Sequence, residues 1–565
     1  MKHYLGFLDA TNKEELDGFL PRTFVKTSTI KRALDDDICF VCGRKGSGKS
    51  AIVYMLDKLT DKGGGKIFKC SNGLTEEDYQ VLHTSFIDEL YNFSKDEDST
   101  GQNIETCFYE MWSLAIDLLA MQAIIKADPS AECSEKINNY MEEIKCIYDP
   151  VIFITEKAVS TLRNLKTNNE TSLTQFVIDF QKIRAETKHK EALIIATKAM
   201  SLIKIALFID TMEQYDISNH KIYPLRGLCL AVKNFLIKKR IPNIHIKCCL
   251  PAEITDELFQ KNLAKFLEFS VYLHWSYSEL LELLARRYCL FLTKMFPTEY
   301  SSLINEICQV VEESERKYDG SKNQFWFSRF WKKIAIEKIN NKFGSPENSC
   351  AYLIRHTQKR PREILSCMNF IIEHSLKNNN SPILSERDII DGIHDQDNLW
   401  QLLTDNLAIF SVPRMDKNIT ELAATILTDE SIIFEGRSFS RFAKRAISML
   451  SRNTDLHNKS SYAKNLLIRS GLVGRVIKFD SINPSHEWKD DKTGKTCKFY
   501  VTEFEYSVPG KVIINEDSLC AVHPMLGDRL KLRSKSDDDI GVVYPIPEKD
   551  DLIAELVHVY ATKGC

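Results

Sequence analysis

The chain has 565 residues, too many for one hydrophobic core, and this length predicts about three or four domains. Hydrophobic residues make up 44% of it and charged residues 27%, which is typical of a soluble globular protein and not of a membrane protein. The 75 basic and 78 acidic residues nearly cancel, so total charge identifies no partner; no apolar run approaches the ~18 residues of a membrane span, and the N-terminus lacks a signal-peptide core.

The 16 cysteines are scattered along the chain. Cys39 and Cys42 have the spacing of a redox or zinc pair, but they lie in an apolar run and no second pair follows at zinc-site distance. We expect them to pack in the core as small hydrophobic side chains. Free thiols indicate a reducing compartment, so a cytoplasmic location is expected.

After a polar, amphipathic lead-in over residues 1–37, which is expected to form helices that pack against the core of the following domain, a buried strand is predicted over 38–42. The next eight residues match G-x-x-x-x-G-K-[ST], the phosphate-binding loop of nucleoside triphosphatases. They are Gly43, Arg44, Lys45, Gly46, Ser47, Gly48, Lys49 and Ser50, and Ala51 follows in a predicted helix that extends to about 59. The alternative is a chance glycine-rich turn.

This loop suits ATP and Mg²⁺. Glycines let successive backbone N–H groups turn inward around phosphate oxygens, and the start of the helix adds its positive dipole end. Lys49 is expected to reach the β- and γ-phosphates, and the Ser50 hydroxyl to ligate Mg²⁺.

A second strand is predicted over 66–70, and a helical insertion over about 75–198, where apolar residues recur at helical spacing. Residues 205–209 then form an apolar strand that ends in Asp210, a Walker B pattern in which this carboxylate would hold Mg²⁺. Glu213 is a candidate for the base that orients or deprotonates the attacking water; a solvated loop carboxylate is the alternative, and Asp216 is a competitor.

A helix is predicted over 226–240, and strands over 244–250 and 269–274. Strands that alternate with helices favour a parallel α/β sheet, with the ligand at the carboxyl ends of the strands.

Two downstream segments make a resemblance specific. Trp275-Ser276-Tyr277-Ser278-Glu279-Leu280 and the following helix resemble the strand-to-lid transition of AAA-type ATPases. The segment from Lys359 to Leu365, KRPREIL, resembles the sensor-2 segment of the origin-recognition and STAND (signal-transducing ATPase with numerous domains) branches. The order of these motifs is similar to that of bacterial P-loop ATPases encoded near mobile elements and phage-defence genes.

The resemblance implies that Arg360, with Arg362 second, touches the γ-phosphate and couples the lid to nucleotide state. The alternative is that these arginines only cap the lid helix. The class implies a homo-oligomer whose site is completed by an arginine from a neighbouring subunit, for which Arg286 and Arg287 are candidates.

Two positions depart from the family pattern. The Walker B segment runs Asp210-Thr211-Met212-Glu213-Gln214, so Glu213 keeps an acid where the family pattern Asp-Gly-x-Asp-Glu has one, whereas Gln214 replaces the acid that follows it. The sensor-1 strand ends in Leu250-Pro251-Ala252-Glu253, with no Asn, Thr or Arg to sense a γ-phosphate. Slow hydrolysis is therefore expected, as in a switch.

Towards the C-terminus, helices are predicted over 417–428, 438–450 and 460–470, and strands over 475–479 and 498–506. This pattern resembles the winged helix-turn-helix of origin-recognition ATPases, with 460–470 as the recognition helix, Lys464 and Arg469 pointing outward, and Lys492 and Lys495 on the wing. Between Arg437 and Phe479, ten basic residues stand against one acid, a local net charge of +9 that predicts contact with DNA phosphates. The alternative is a module for protein interaction or oligomerisation.

The predicted architecture is thus α/β: a P-loop NTPase core of AAA/STAND type with its lead-in (1–274), a helical lid (275–397), a winged helix domain (398–510) and an accessory tail (511–565). The leading hypothesis is a nucleotide-switched ATPase that binds double-stranded DNA, in phage defence or mobile-element maintenance. The alternative is a poorly hydrolysing, ATP-bound scaffold that recruits a partner protein, such as the product of a neighbouring gene. A motor on nucleic acid lacks recognisable helicase motifs.

Overall fold

The computed structural model shows a mixed α/β protein. It describes residues 3–7, 12, 14–59, 68–70, 86, 90, 101–128, 131–146, 148–167, 173–199, 205–209, 222–238, 241, 243–255, 258, 266–316, 326–340, 346–394, 396–407, 419–448, 456–477, 487–489, 496–506, 512–526, 530 and 539–545. The chain divides into two compact units. The core unit is Ser28–Arg44 with Lys49–Leu273, and the lid unit is Met1–Thr27, Lys45–Gly48 and His274–Cys565.

The α-helices of the described residues are α1 (Leu20–Thr23), α2 (Ser28–Ala33), α3 (Lys49–Leu59), α4 (Gly101–Ala127), α5 (Glu132–Glu143), α6 (Pro150–Thr167), α7 (Leu173–Ala185), α8 (Thr187–Ala199), α9 (Ile222–Ile237), α10 (Tyr277–Met295), α11 (Ser301–Arg316), α12 (Trp326–Ile334), α13 (Ser349–Arg355), α14 (Pro361–Asn379), α15 (Glu386–Ile393), α16 (Gln396–Asn406), α17 (Ile419–Leu427), α18 (Gly436–Ala443) and α19 (Leu456–Arg469). A π-helical turn (Glu15–Phe19) precedes α1, and 3₁₀ turns cover Ala252–Ile254, Lys444–Ser448 and Pro524–Leu526.

The strands are β1 (Phe40–Gly43), β2 (Phe68–Cys70), β3 (Ile205–Ile209), β4 (Ile244–Pro251), β5 (Ser270–Tyr272), β6 (Lys338–Asn340), β7 (Pro346–Asn348), β8 (Ile433–Glu435), β9 (Val473–Val476), β10 (Glu487–Lys489), β11 (Thr496–Glu503), β12 (Leu519–Val522) and β13 (Asp539–Pro545).

The sheet of the core unit has the order β2-β3-β4-β1-β5, and every neighbouring pair is parallel. The near-continuous apolar runs of β1 and β4 suit such a sheet, because its strands are buried on both faces. The parallel α/β sheet predicted from the sequence is therefore confirmed. Since all carboxyl ends meet at one edge, the ends of β1, β4 and β3 lie side by side, with β4 in the middle.

The predicted helical insertion is confirmed for the described residues, which form α4 to α8. Its longest helix, α4, packs so closely against α9 that only glycine fits at position 227. A Cβ atom on Gly227 would lie 2.5 Å from Cβ of Phe108 and 2.8 Å from the Phe108 carbonyl carbon. The insertion therefore shares one hydrophobic core with the sheet.

The segment Ile104–Ala127 of α4 is the one helix, among the described residues, that is long and apolar enough to cross a membrane. However, 83% of its most apolar window is buried inside the protein. This burial is what a core helix of a soluble protein shows.

In the lid unit, α10 begins with a capping box: the Ser276 side chain accepts from the Glu279 backbone N–H, and the Glu279 carboxylate accepts from the Ser276 N–H. The expectation that the whole N-terminal lead-in packs against the core is wrong, because its first part, Met1–Thr27, belongs to the lid unit. This first part packs on lid helices, where the Leu5 N–H donates to Oδ1 of Asn369 (2.9 Å) and Glu15 pairs with Arg287 of α10.

The three helices predicted near the C-terminus are present as α17, α18 and α19, and the predicted strands appear as β9 and β11. The two strands belong to a sheet of six. Five of its strands have the order β10-β11-β9-β12-β8, and the sixth, β13, pairs with β11 in parallel. Strands β12 and β13 come from the segment predicted as an accessory tail, so this segment is part of the sheet. Tyr544 of β13 also donates to Glu347 (2.7 Å) in the lid unit.

Candidate functional site

The glycine-rich loop lies where the sequence predicts it, between the end of β1 and the first residue of α3. Two of its residues, Gly46 (φ +83°) and Gly48 (φ +99°), adopt the left-handed backbone conformation that only glycine takes without strain. Alternating conformations of this kind turn successive N–H groups toward one point and create an anion-binding concavity.

Lys49 is almost fully buried, with 4% of its surface exposed. Its ammonium donates to two carbonyl oxygens of the loop, those of Gly43 (2.7 Å) and Arg44 (3.2 Å). A buried ammonium needs such acceptors, and phosphate oxygens are stronger ones because they carry negative charge. The lysine is therefore held at the loop in a position from which it can exchange backbone oxygens for an anionic ligand.

Ser47 provides a test of whether the loop fits a phosphate ligand. The residue is 5% exposed, and its hydroxyl has no hydrogen-bond partner among the described residues. A buried hydroxyl without a partner is unfavourable by about 1–3 kcal/mol. A phosphate oxygen at this point would satisfy it, so the buried hydroxyl is compatible with an anionic ligand in the loop.

Three donors of the lid unit hold the carbonyl oxygens of three successive residues at the loop tip. Arg360 Nη1 donates to Lys45 (3.1 Å), the Arg362 backbone N–H to Gly46 (3.4 Å), and the Trp275 indole to Ser47 (2.8 Å). In an anion-binding loop the N–H groups converge on the ligand and the carbonyls turn away from it. The lid donors therefore brace the outer side of the loop tip.

Arg360 is committed to several partners at once. Besides the Lys45 carbonyl, its guanidinium donates to the side chain of Gln358 and lies 3.7 Å from the Glu363 carboxylate. It is 2% exposed, and its Nε has no hydrogen-bond partner among the described residues. The γ-phosphate contact implied by the family resemblance stays a prediction. In the structure, the Arg360 guanidinium donates to the backbone of the loop.

Buried positive charge surrounds the start of α14. Lys359 is 6% exposed, has a left-handed backbone (φ +55°), and lies over the ring of Tyr277 at 4.4 Å. Burial, with a smaller contribution from Lys359, lowers the pKa of His274 to about 4, so this histidine is neutral at pH 7. Neither Lys359, His274 nor the indole of Trp275 was assigned a role from the sequence. The signal available for them was their position beside Arg360 and at the end of the last core strand.

The predicted magnesium and catalytic carboxylates, Asp210 and Glu213, lie outside the described residues. The strand that precedes them, β3, is two strands from β1 in the sheet, a distance of roughly 10 Å. Ser50 is half-buried in the first turn of α3. No group of three or more His, Cys, Asp or Glu side chains in the described part of the chain could hold a metal ion.

Strand β4, which lies between β1 and β3 in the sheet, ends at Pro251 and is followed by a 3₁₀ turn that contains Glu253. Glu253 is 6% exposed. The strand end that the family resemblance assigns to a polar γ-phosphate sensor is thus followed by a buried carboxyl group, which as a carboxylate can only accept hydrogen bonds.

Both candidates for an arginine donated to a neighbouring subunit are already paired within the chain. Arg287 is buried and forms a two-pronged ion pair with Glu15, and Arg286 donates twice to Glu282 of the same helix. Use of either arginine by another subunit would require breaking these pairs.

Several cations of the basic C-terminal region have acidic partners that lie outside the window in which charge was counted. Arg437 pairs with Glu435 (2.8 Å), Arg475 with Glu503 (2.7 Å), and Arg445 with Glu430. Lys464, expected to point outward from the recognition helix, donates to Ser440 of α18 (2.9 Å). Arg441 and Lys444 remain on the exposed surface, whereas Arg452, Lys478, Lys492 and Lys495 lie outside the described residues.

Comparisons with protein-family models, with curated proteins and with solved structures find no match to this chain.

Proposed function

We propose that this protein is a nucleotide switch of the AAA/STAND type, which binds and slowly hydrolyses ATP with Mg²⁺. The observation that carries this proposal is the loop itself. Lys49 is buried against loop carbonyls, Gly46 and Gly48 have left-handed backbones, and the buried Ser47 hydroxyl lacks a partner among the described residues. All three features are accounted for by a triphosphate ligand.

Nucleotide binding and hydrolysis would depend on the following residues. The loop backbone from Gly43 to Ala51 would hold the phosphates, and Lys49 would neutralise them. Ser50 and Asp210 would hold Mg²⁺, and Glu213 would orient the attacking water. Bound ATP supplies the phosphoanhydride bond whose hydrolysis resets the switch.

Slow turnover follows from two features. Glu253 is in the region where a hydrogen-bond donor would be expected to sense the γ-phosphate, and Arg360 is engaged by the loop backbone. Stabilising charge on the transferred phosphoryl group is the largest contribution that such enzymes make to the rate. A chain with fewer donors at this point suits a switch better than a motor.

We further propose that nucleotide state controls binding of double-stranded DNA through the C-terminal helices, which would form a winged helix. The three-helix arrangement and the exposed Arg441 and Lys444 support this role. A setting in phage defence or mobile-element maintenance, and assembly as a homo-oligomer, follow from the family resemblance alone.

The second candidate function is an ATP-bound scaffold that recruits a partner protein through the same C-terminal domain. The ion pairs of Arg437, Arg445 and Arg475 favour it, because cations already neutralised by glutamates contribute less to phosphate binding. The two candidates differ in whether duplex DNA affects the ATPase.

Steady-state ATP turnover separates them. The wild type and Lys49→Ala are assayed with and without duplex DNA at two salt concentrations, with Lys31→Ala, an exposed lysine of α2, as the matched control. We expect Lys49→Ala to lower turnover at least about 100-fold and Lys31→Ala to leave it unchanged. Stimulation by DNA that disappears at high salt supports the DNA switch. Turnover that does not depend on DNA favours the scaffold, and turnover that survives Lys49→Ala contradicts both.

A further inference from the structure

Gln358 is a buried amide that the family resemblance leaves without a role. It is 2% exposed, and both polar atoms of its side chain are used. Oε1 accepts from the Arg360 guanidinium, and Nε2 donates to the carbonyl oxygens of Ser470 (3.1 Å) and Gly471 (3.4 Å). A guanidinium can only donate and a carbonyl can only accept, so the orientation of this amide is fixed by its neighbours.

On one side, Gln358 is a single side chain away from the phosphate loop. The same guanidinium that donates to Gln358 also donates to the Lys45 carbonyl at the loop tip (3.1 Å). Glu363 fixes this arrangement, because its carboxylate accepts from the Gln358 backbone N–H (2.6 Å) and lies beside Arg360 Nε. A displacement of the loop tip therefore changes the hydrogen bonds of Arg360 first and those of Gln358 next.

On the other side, Gln358 caps the end of α19, the predicted recognition helix. Ser470 and Gly471 are the first two residues after this helix, where backbone carbonyls lack partners within the helix. Gly471 has a left-handed backbone (φ +75°), and a Cβ atom there would lie 2.6 Å from the ring of Tyr506 and 3.3 Å from Nε2 of Gln358. The turn is therefore packed closely against Gln358 and Tyr506.

We infer that Gln358 is the positioning residue that couples the phosphate loop to the C-terminal end of α19. The link runs from the Lys45 carbonyl through Arg360 and Gln358 to the carbonyls of Ser470 and Gly471. Lys45 is half-buried and the other four residues of the link are buried, so a hydrogen bond lost along most of the link cannot be replaced by water at no cost. This inference rests on the proposed function, since it assumes that ATP binds the loop, but it does not depend on whether the partner of α19 is DNA or protein.

Hydrogen–deuterium exchange on the full-length protein tests the coupling without turnover or DNA. The backbone N–H groups of residues 470–472 are bonded to carbonyls of Leu466, Ile468 and Leu467, so their exchange reports on this turn. Exchange is measured with and without MgATP, and binding of MgATP is measured separately by calorimetric titration. We expect MgATP to change exchange at 470–472 by at least about fivefold, the lower end of typical coupling between sites.

The decisive variant is Gln358→Glu. A glutamate keeps an acceptor for Arg360 but sets an oxygen against the two carbonyls of the turn, so only the second half of the link is broken. We expect the effect of MgATP on 470–472 to fall below about twofold, while affinity for MgATP stays within about threefold of wild type. Gln358→Leu removes the hydrogen bonds to Arg360 and to the turn. The effect of MgATP on exchange at 470–472 should fall below about twofold in this variant too. Asn369→Leu, a buried amide of α14 whose partner is Leu5, is the matched control and should keep the full response.

Three results overturn the inference. Wild type that binds MgATP without a change at 470–472 removes the coupling and leaves the ATP-binding proposal intact, as does a full response in Gln358→Glu. Wild type that does not bind MgATP removes the proposed function and the coupling with it. If both Gln358 variants fail to fold, Arg360→Lys decides, because a lysine cannot reproduce the paired donors and should also suppress the response at the turn.

Discussion

Gly46 stands where two separate constraints exclude a side chain. Its backbone is left-handed (φ +83°), and a Cβ atom would lie 2.8 Å from Cβ of Arg362. The left-handed backbone is the conformation typical of an anion-binding turn, whereas the steric constraint comes from Arg362, which is far away in sequence. The motif predicts the first constraint, but only the structure shows the second, because it depends on a tertiary contact.

We predict that Gly46→Ala weakens MgATP binding at least about tenfold, because a non-glycine residue at this φ is strained by roughly 1 kcal/mol or more and the added methyl group displaces Arg362. Isothermal titration checks it. The control is Gly18→Ala, where a Cβ would meet nothing closer than 3.9 Å and φ is not positive. Unchanged affinity in Gly46→Ala would show that the loop tip does not adopt this conformation in solution.

His523 and His274 make the lid unit sensitive to acid. Burial lowers the pKa of His523 to about 3 and that of His274 to about 4. Both stay neutral in the folded protein while the unfolded chain takes up protons below about pH 6.5. Their contribution to stability is therefore complete above pH 6.5 and is lost as pH falls, down to about pH 4 for His274 and about pH 3 for His523.

Thermal unfolding at pH 7.5 and pH 5.5 tests this for His523, which hydrogen-bonds to Tyr506 (2.9 Å). Wild type should lose about 1.4 kcal/mol more than His523→Gln between the two pH values, which appears as a larger fall in Tm. An equal fall in both proteins would mean that His523 is protonated in the folded state.

At the scale of elements, the parallel sheet and its flanking helices could be predicted closely, because apolar strands and a glycine-rich turn are local signals. Helix α4 shows the limit of such reasoning. Its composition suits a membrane span, whereas tertiary packing buries it in the core. Two of the acids on α4, Glu110 and Asp117, meet a cation that is 67 or more residues away in sequence, which no local pattern can predict.

That cation is Arg184, which bonds to Glu110 (2.9 Å) and to Asp117 (3.3 Å), with both acids buried. Arg184→Met would leave two buried carboxylates without their arginine, and we predict a loss of about 3–5 kcal/mol in the free energy of unfolding. Arg163→Met, at an exposed position of α6, should stay within about 0.5 kcal/mol of wild type. Chemical denaturation of both variants gives the comparison, and similar stabilities would contradict the assigned role of this network.

At the scale of the whole molecule, the net charge predicted for the C-terminal region was less accurate than the predicted helices and strands. A count along residues 437–479 gives +9, but Glu430, Glu435 and Glu503 lie outside that window and meet three of its arginines in space. A linear count cannot include them, since strand pairing and helix packing bring them close. Likewise, strand patterns after residue 510 were too short to predict that β12 and β13 complete a sheet.

If duplex DNA binds the C-terminal helices, the exposed cations should carry the contact. We predict that the pair Arg441→Ala and Lys444→Ala reduces the slope of log affinity against log salt by about 1.8, whereas Arg437→Ala, which removes a cation paired with Glu435, changes it by less than about 0.5. Fluorescence anisotropy with a labelled duplex at several salt concentrations measures this. Equal slopes in all three proteins would move the DNA contact elsewhere or favour the scaffold.

Both candidate functions and the proposed coupling require that the loop binds a nucleotide. The direct measurement is calorimetric titration of MgATP into the wild type, Lys49→Ala and Lys31→Ala. We predict a dissociation constant in the roughly micromolar to millimolar range for wild type and Lys31→Ala, and at least about 30-fold weaker binding for Lys49→Ala. No binding to the wild type, or equal binding to all three proteins, would contradict the nucleotide switch.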